Sequence, residues 1–252
     1  DQGASINKVK VVGTRLYLGR NGGTGNDFII YDITIPDSPQ LLGGADIANS
    51  ADVRGMDIAG SIAYLALGTS GGNEVRTYDI SKPNDPKLLG GLEFGNNLNA
   101  ITVSGNYAYV GGVAGIANEF QIIDISRPDN PVVVGGLEVG KAIQEIFISG
   151  NYAYVSYATG AGNELIIIDI TDPKNPALTA DGFSLTSQPN ESYVQGNFIY
   201  MVTDQDGSAA EFRIGNIANP GSTATLGTIE IGSTINSIYV AGDYAYLGTL
   251  GR

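Results

Sequence analysis

The sequence predicts an all-β chain, a β-propeller of four-stranded antiparallel blades, on three observations. A nine-residue segment, Ile123-Asp124-Ile125-Ser126-Arg127-Pro128-Asp129-Asn130-Pro131, returns as Tyr31 to Pro39, Tyr78 to Pro86 and Ile168 to Pro176, and in degraded form as Gly215 to Pro220. Its anchor positions 32, 79, 124, 169 and 216 are 47, 45, 45 and 47 residues apart. A second anchor keeps the same period at Tyr17, Tyr64, Tyr109, Tyr154, Tyr200 and Tyr246. Third, no stretch shows the 3.6-residue apolar period of a helix.

Each period divides into four strand-like pieces separated by turn residues. In the cleanest copy strand a runs from Asn99 to Ser104 and strand b from Tyr107 to Gly112. Gly105-Asn106 joins them, and both residue types tolerate positive φ. Strand c, Glu119 to Ile125, is nearly continuously apolar, as expected of a strand covered on both faces. Strand d is Val132 to Glu138. Pro-x-x-Pro separates c from d, and the c–d turns together hold nine of the ten prolines; proline fixes φ and lacks a donor, so it belongs between strands.

Five sets of four strands are followed by two more, Thr234 to Ala241 and Asp243 to Leu247. That count predicts a six-blade geometry with five complete blades and an unfinished sixth. The expected domain is a single propeller over residues 1–252, with blades near 6–46, 51–94, 97–139, 142–184, 190–231 and 234–252. The last blade would be completed by chain beyond Arg252, by a partner, or not at all. An open apolar edge is an aggregation hazard, so a cover is expected, with self-association or another chain among the candidates.

The motif Leu165-Ile166-Ile167-Ile168-Asp169-Ile170-Thr171-Asp172-Pro173, with Gly150-Asn151-Tyr152-Ala153-Tyr154-Val155 upstream, resembles the LVIVD repeat of bacterial and archaeal surface proteins. The resemblance extends over nearly the whole chain. It implies a β-propeller at the cell surface or in the extracellular medium, often one module of a larger protein. It implies no catalytic activity and carries over no binding residues. The fifth copy departs from the pattern, with Asn216 for the strand-c Asp and no second proline after Pro220.

Composition narrows the chemistry. The 252 residues contain no His, Cys or Trp, which removes disulfides, thiol nucleophiles, Ser-His-Asp triads and zinc–imidazole sites. With 26 acidic and 13 basic side chains the net charge is −13, the wrong sign for nucleic-acid backbones or anionic membranes. No apolar run reaches the ~18–20 residues of a membrane-spanning helix. The first residue, Asp1, is consistent with a removed signal peptide or a piece of a longer protein.

The once-per-blade tyrosines and strand-c aspartates read as packing and turn capping. A second acidic series reads differently. Five residues before each anchor lie Asp27, Glu74, Glu119, Glu164 and Glu211, preceded in four copies by Asn26, Asn73, Asn118 and Asn163. Fourteen after it lie Asp46, Glu93, Glu138 and Glu230, with Phe183 breaking the series. In a simple c–d hairpin the two series face each other, and like charges directly opposed are destabilising. Calcium at the blade rim is one answer; no cofactor is otherwise required. The alternative is solvated or turn-capping acids, with a bulge that moves the pair to opposite faces. With strands ~4.8 Å apart, strand c lies too far from the axis for carboxylates of different blades to share an ion. The Asp-x-Asp-Gly fragment in the loop from Thr203 to Ser208 reads as an ordinary turn.

The entrance of strand a is polar in all six copies: Asn7, Arg54, Asn99, Gln144, Asn190 and Asn236. The next position varies, as Lys8, Gly55, Ala100, Glu145, Glu191 and Ser237. Such a ring at one channel mouth is the candidate site for a protein or glycan ligand; its amides could also merely satisfy strand ends. The leading expectation is therefore a non-catalytic binding or scaffold module. A glycoside hydrolase is the alternative, because Glu145 and Glu191 in adjacent blades stand at ~8 Å, within the ~6.5–9.5 Å of an inverting carboxylate pair. A third is a structural subunit that assembles through its last blade.

Overall fold

The computed structural model describes residues 5–47, 51–69, 72–115, 118–157, 164–185, 189–205, 207 and 210–250. The chain forms two compact units, Asp1–Gly140 and Lys141–Arg252. All regular structure among the described residues is β.

The first unit holds three four-stranded sheets, each a meander of consecutive strands. They are β1 (Ile6–Val12), β2 (Arg15–Arg20), β3 (Phe28–Asp32) and β4 (Gln40–Ala45); β5 (Val53–Ala59), β6 (Ile62–Leu67), β7 (Val75–Asp79) and β8 (Lys87–Leu92); and β9 (Leu98–Ser104), β10 (Tyr107–Gly112), β11 (Phe120–Asp124) and β12 (Val132–Leu137). The second unit has two more: β13 (Ile143–Ser149), β14 (Tyr152–Tyr157), β15 (Leu165–Asp169) and β16 (Ala177–Phe183); and β17 (Pro189–Gln195), β18 (Phe198–Thr203), β19 (Phe212–Asn216) and β20 (Ala224–Ile229). A two-stranded sheet, β21 (Ile235–Ala241) with β22 (Tyr244–Thr249), completes it. The strands a to d expected from the repeat are these strands, to within two residues.

The turns explain why the strands end where they do. In all five c–d connections the residue before the first proline accepts a hydrogen bond from three residues on, as in Arg127 O from Asn130 N at 2.9 Å, placing proline at the second position of a β-turn. The strand-c aspartate closes the same turn: Asp32, Asp79, Asp124 and Asp169 accept the N–H two residues later at 2.7–2.8 Å. Hydrogen bonds from the side chain and N–H of Thr34 hold Asp32 below the ordinary carboxylate range. In the fifth copy Asn216 Oδ1 takes the Ala218 N–H at 2.9 Å, so the amide replaces the acid in this role.

Successive sheets within each unit pack apolar faces together. Tyr17, Phe28 and Ile30 of the first sheet bury Val53, Met56 and Leu65 of the second. In the second unit Val202 and Phe212 pack against Ile235 and Ile238. Each such side chain contributes ~1.5–3 kcal/mol on burial. Close approach also demands glycine: a Cβ at Gly90 would lie 2.6 Å from the Asp129 carbonyl oxygen in the following sheet's proline turn.

Candidate functional site

The acids five residues before the anchor are buried: Asp27 and Glu211 are 0% exposed, Glu74 and Glu119 2%, and Glu164 5%. The opposed series, Asp46, Glu93, Glu138 and Glu230, is exposed. Each buried carboxylate latches the segment that leaves strand d. Glu74 Oε2 accepts from Phe94 N (2.7 Å) and Gly95 N (3.0 Å). Glu119 Oε2 accepts from Val139 N (2.9 Å) and Gly140 N (3.0 Å). Glu211 Oε2 accepts from Ile231 N (2.7 Å) and Gly232 N (3.0 Å). Gly95, Gly140 and Gly232 have φ of 68°, 70° and 69°, which lets two successive N–H groups converge on one anion. Glu164 binds Leu185 N at 2.6 Å.

The first copy is the exception. Asp27, one methylene shorter, takes the Ile47 N–H through Oδ2 at 2.9 Å and leaves buried Oδ1 without a close donor, as is also true of Glu211 Oε1, whose Oε2 nonetheless holds two amides. Electrostatics follow the difference. Burial pushes Glu119 up, but the N–H groups of Val139, Gly140, Glu119 itself and Gly115 together hold it below the ordinary glutamate value. Burial pushes Asp27 up, and with one strong amide and Asp46 nearby it stays above.

A bulge lies in every c–d hairpin, as the turn-capping alternative expects. Asp32 pairs with Gln40, and after the bulge between Ile30 and Tyr31, Phe28 pairs with Ala45; one step on, Asp27 N donates to Ala45 O at 3.0 Å, with the Asp27 carboxylate buried and Asp46 exposed. Glu230 reaches Glu211 closely enough for a side-chain hydrogen bond. In the fourth sheet strand d carries an extra residue: Ile168 pairs with Leu178 but Ile166 with Gly182. Phe183 thus fills the apolar slot opposite Leu165, and the acid's place passes to Ser184. Candidate calcium pairs are therefore organised round main-chain donors; among the described residues no three Asp or Glu side chains cluster as metal ligands. Asn163, and Asp206 and Ser208 of the calcium-loop fragment, lie outside the described residues.

At the entrance of strand a the amides tie neighbouring sheets. Asn7 Nδ2 donates to Asn21 Oδ1 (2.5 Å) and Val53 O (3.3 Å). Asn190 Nδ2 donates to Asp204 Oδ1 (2.8 Å) and Ile235 O (3.0 Å). Arg54 reaches Asn99 Oδ1 at 3.4 Å and pairs with Asp52 at 3.6 Å. Gln144 is half-buried and Asn236 exposed.

The variable position next to this row holds clamps. Glu145 Oε2 accepts from Ser192 N at 2.9 Å, and Glu191 Oε2 from Ile238 N at 2.6 Å. Each carboxylate thus bonds the first strand of the following sheet. Sequence reasoning missed a third clamp, Asp57, 8% exposed. It accepts from Val103 N at 2.8 Å and pairs with Lys10 at 2.9 Å. An acid among Lys10, Thr102, Phe147, Tyr193 and Tyr239 at the aligned position was the available signal.

Comparison with known proteins bears on the repeat itself. The family model described as the LVIVD repeat matches residues 97–138 and 140–181, which span the third and fourth sheets. Residues 97–181 are LVIVD repeats. No curated protein matches the chain by sequence. Among solved structures, a functionally unknown protein from Desulfotomaculum acetoxidans DSM 771 is 15% identical over 92% of this chain and 72% of its own, with a TM-score of 0.75. The computationally designed Ika8 protein is 16% identical over 97% of this chain and 68% of its own, with a TM-score of 0.70. At such identities the chain shares their fold, and the likeness goes no further.

Proposed function

We propose that this LVIVD-repeat chain is a non-catalytic binding or scaffold module of the cell surface or extracellular medium, its sheets successive blades of a six-blade propeller geometry. It engages a protein or glycan through the strand-a entrances. One observation carries this: the repeated carboxylates bond main-chain amides, whereas the entrance row stays polar in every sheet and within reach of solvent. Asn7, Arg54 and Asn99 form the row of the first unit, and Gln144, Asn190 and Asn236 that of the second. The amide bonds of Glu145 and Glu191 support reading them as clamps between sheets.

Screening the protein against glycan and peptide arrays tests the proposal. Arg54→Ala with Asn99→Ala, or Gln144→Ala with Asn236→Ala, removes capture of the ligand found while thermal unfolding is preserved. Capture unaffected by both double variants contradicts it, and so does glycan hydrolysis by the wild-type chain.

A further inference from the structure

Arg54 is the one charged member of the entrance row; the other five members are amides. Its surroundings fix the guanidinium and leave much of it open. Gly68 packs against it: a Cβ there would stand 3.0 Å from Arg54 Nε and 3.5 Å from Cζ. The chain at Gly68 is itself pinned. Gly68 N donates to Asp52 O at 3.0 Å, and Thr69 N and Oγ1 donate to Asn97 Oδ1 at 2.6 and 2.8 Å. Among the described residues the guanidinium makes one hydrogen bond, from Nη1 to Asn99 Oδ1 at 3.4 Å. Asp52 Oδ2 stands 3.6 Å from Nη2, an ion pair too long to be a hydrogen bond. The other oxygen of Asp52 already accepts from Gly22 N at 3.1 Å. Both charged side chains reach solvent, Arg54 at 35% exposure and Asp52 at 38%.

We propose that Arg54 receives the carboxylate of an acidic sugar, a uronic acid carried by an otherwise neutral glycan. A guanidinium presents a planar fork of donors that matches both oxygens of a carboxylate, and the loose contact with Asp52 gives way to that tighter pairing. Asn7 on β1 and Asn99 on β9 stand to either side of Arg54 on β5. Side-chain amides both donate and accept, as sugar hydroxyls do, so the neutral part of the ligand finds partners beside the charged one. Net charge narrows the choice. A chain at −13 repels a polyanion, whereas a single carboxylate meets one cation whose position is set before the ligand arrives. The inference rests on the binding-module reading and names the ligand class of its first-unit row.

The test is a glycan array that pairs each uronic-acid-bearing oligosaccharide with its carboxyl-reduced, neutral form. The acidic member of a pair binds about tenfold tighter or more, and the preference shrinks as salt rises. Arg54→Gln abolishes the preference. Gly68→Ala, whose new methyl displaces the guanidinium, reduces it while the thermal unfolding midpoint holds. Equal capture of both members, weakened alike by Asn99→Ala, overturns the carboxylate and leaves the binding module standing. A preference that survives Arg54→Gln places the anion elsewhere and overturns the assignment. Capture confined to peptides with a free carboxyl terminus overturns the sugar, and capture of no glycan or peptide overturns the inference together with the reading beneath it.

Discussion

Acidic side chains meet main-chain amides in two regions of this molecule, and the two are organised differently. At the exit of strand d the latch is present in all five complete sheets, and each acid binds amides of its own repeat. At strand a the clamps are individual: Asp57, Glu145 and Glu191 each bind the following sheet, from two different positions of the strand. A joint that every repeat needs is kept by every repeat, while a joint between neighbours can be made from whichever position reaches. Regular acids mark the fold, and irregular ones mark the particular pair of sheets.

The latch carries the largest expected effect. Glu119→Ala strands the N–H groups of Val139, Gly140 and Gly115 that were bonded to a buried charge, so stability in urea unfolding falls by about 2–3 kcal/mol. An effect as small as that of an exposed-site change would reduce the latch to a bystander. Glu191→Ala breaks the bond from Ile238 N. Its loss of about 1–2 kcal/mol is concentrated in β21 and β22, where hydrogen exchange should quicken while β17 to β20 hold. Uniform quickening throughout the unit would erase the distinction between latch and clamp.

Asp27 sharpens the comparison from within the latch series, with the smallest effect and the opposite sign. Its folded pKa is raised, so ionisation opposes folding above that value, and the cost disappears as pH falls. Glu119 has a lowered folded pKa, so its contribution is complete above the unfolded value and is lost as pH falls through the folded one. At neutral pH Asp27→Asn leaves stability unchanged or raises it by up to about 1 kcal/mol, whereas Glu119→Gln lowers it. Equal losses in both variants would show that one methylene does not separate the two copies.

The period, the turns and the four strands per repeat were legible because they rest on residue types with fixed backbone consequences. Pro128 and Asp124 announce their turn from the sequence alone. Both acidic series were visible too, but the choice between a cation and capping was not, because the groups that satisfy Glu74 and Glu119 are backbone N–H groups that every residue except proline carries. The extra residue of the fourth sheet was hidden, and it moved Phe183 into an apolar slot that alignment by spacing had given to an acid. Asp57 escaped notice because it occurs once, and a search for repetition passes over what occurs once.

The most direct test of the central claim, that the repeated acids hold the fold through amides, is urea unfolding of the wild-type chain and Glu119→Gln, each in calcium and in chelator. The amide latch predicts a wild-type midpoint that does not move between calcium and chelator, and a Glu119→Gln loss of equal size in both. A wild-type midpoint that drops in chelator to that of Glu119→Gln would contradict it and give the acids to a cation.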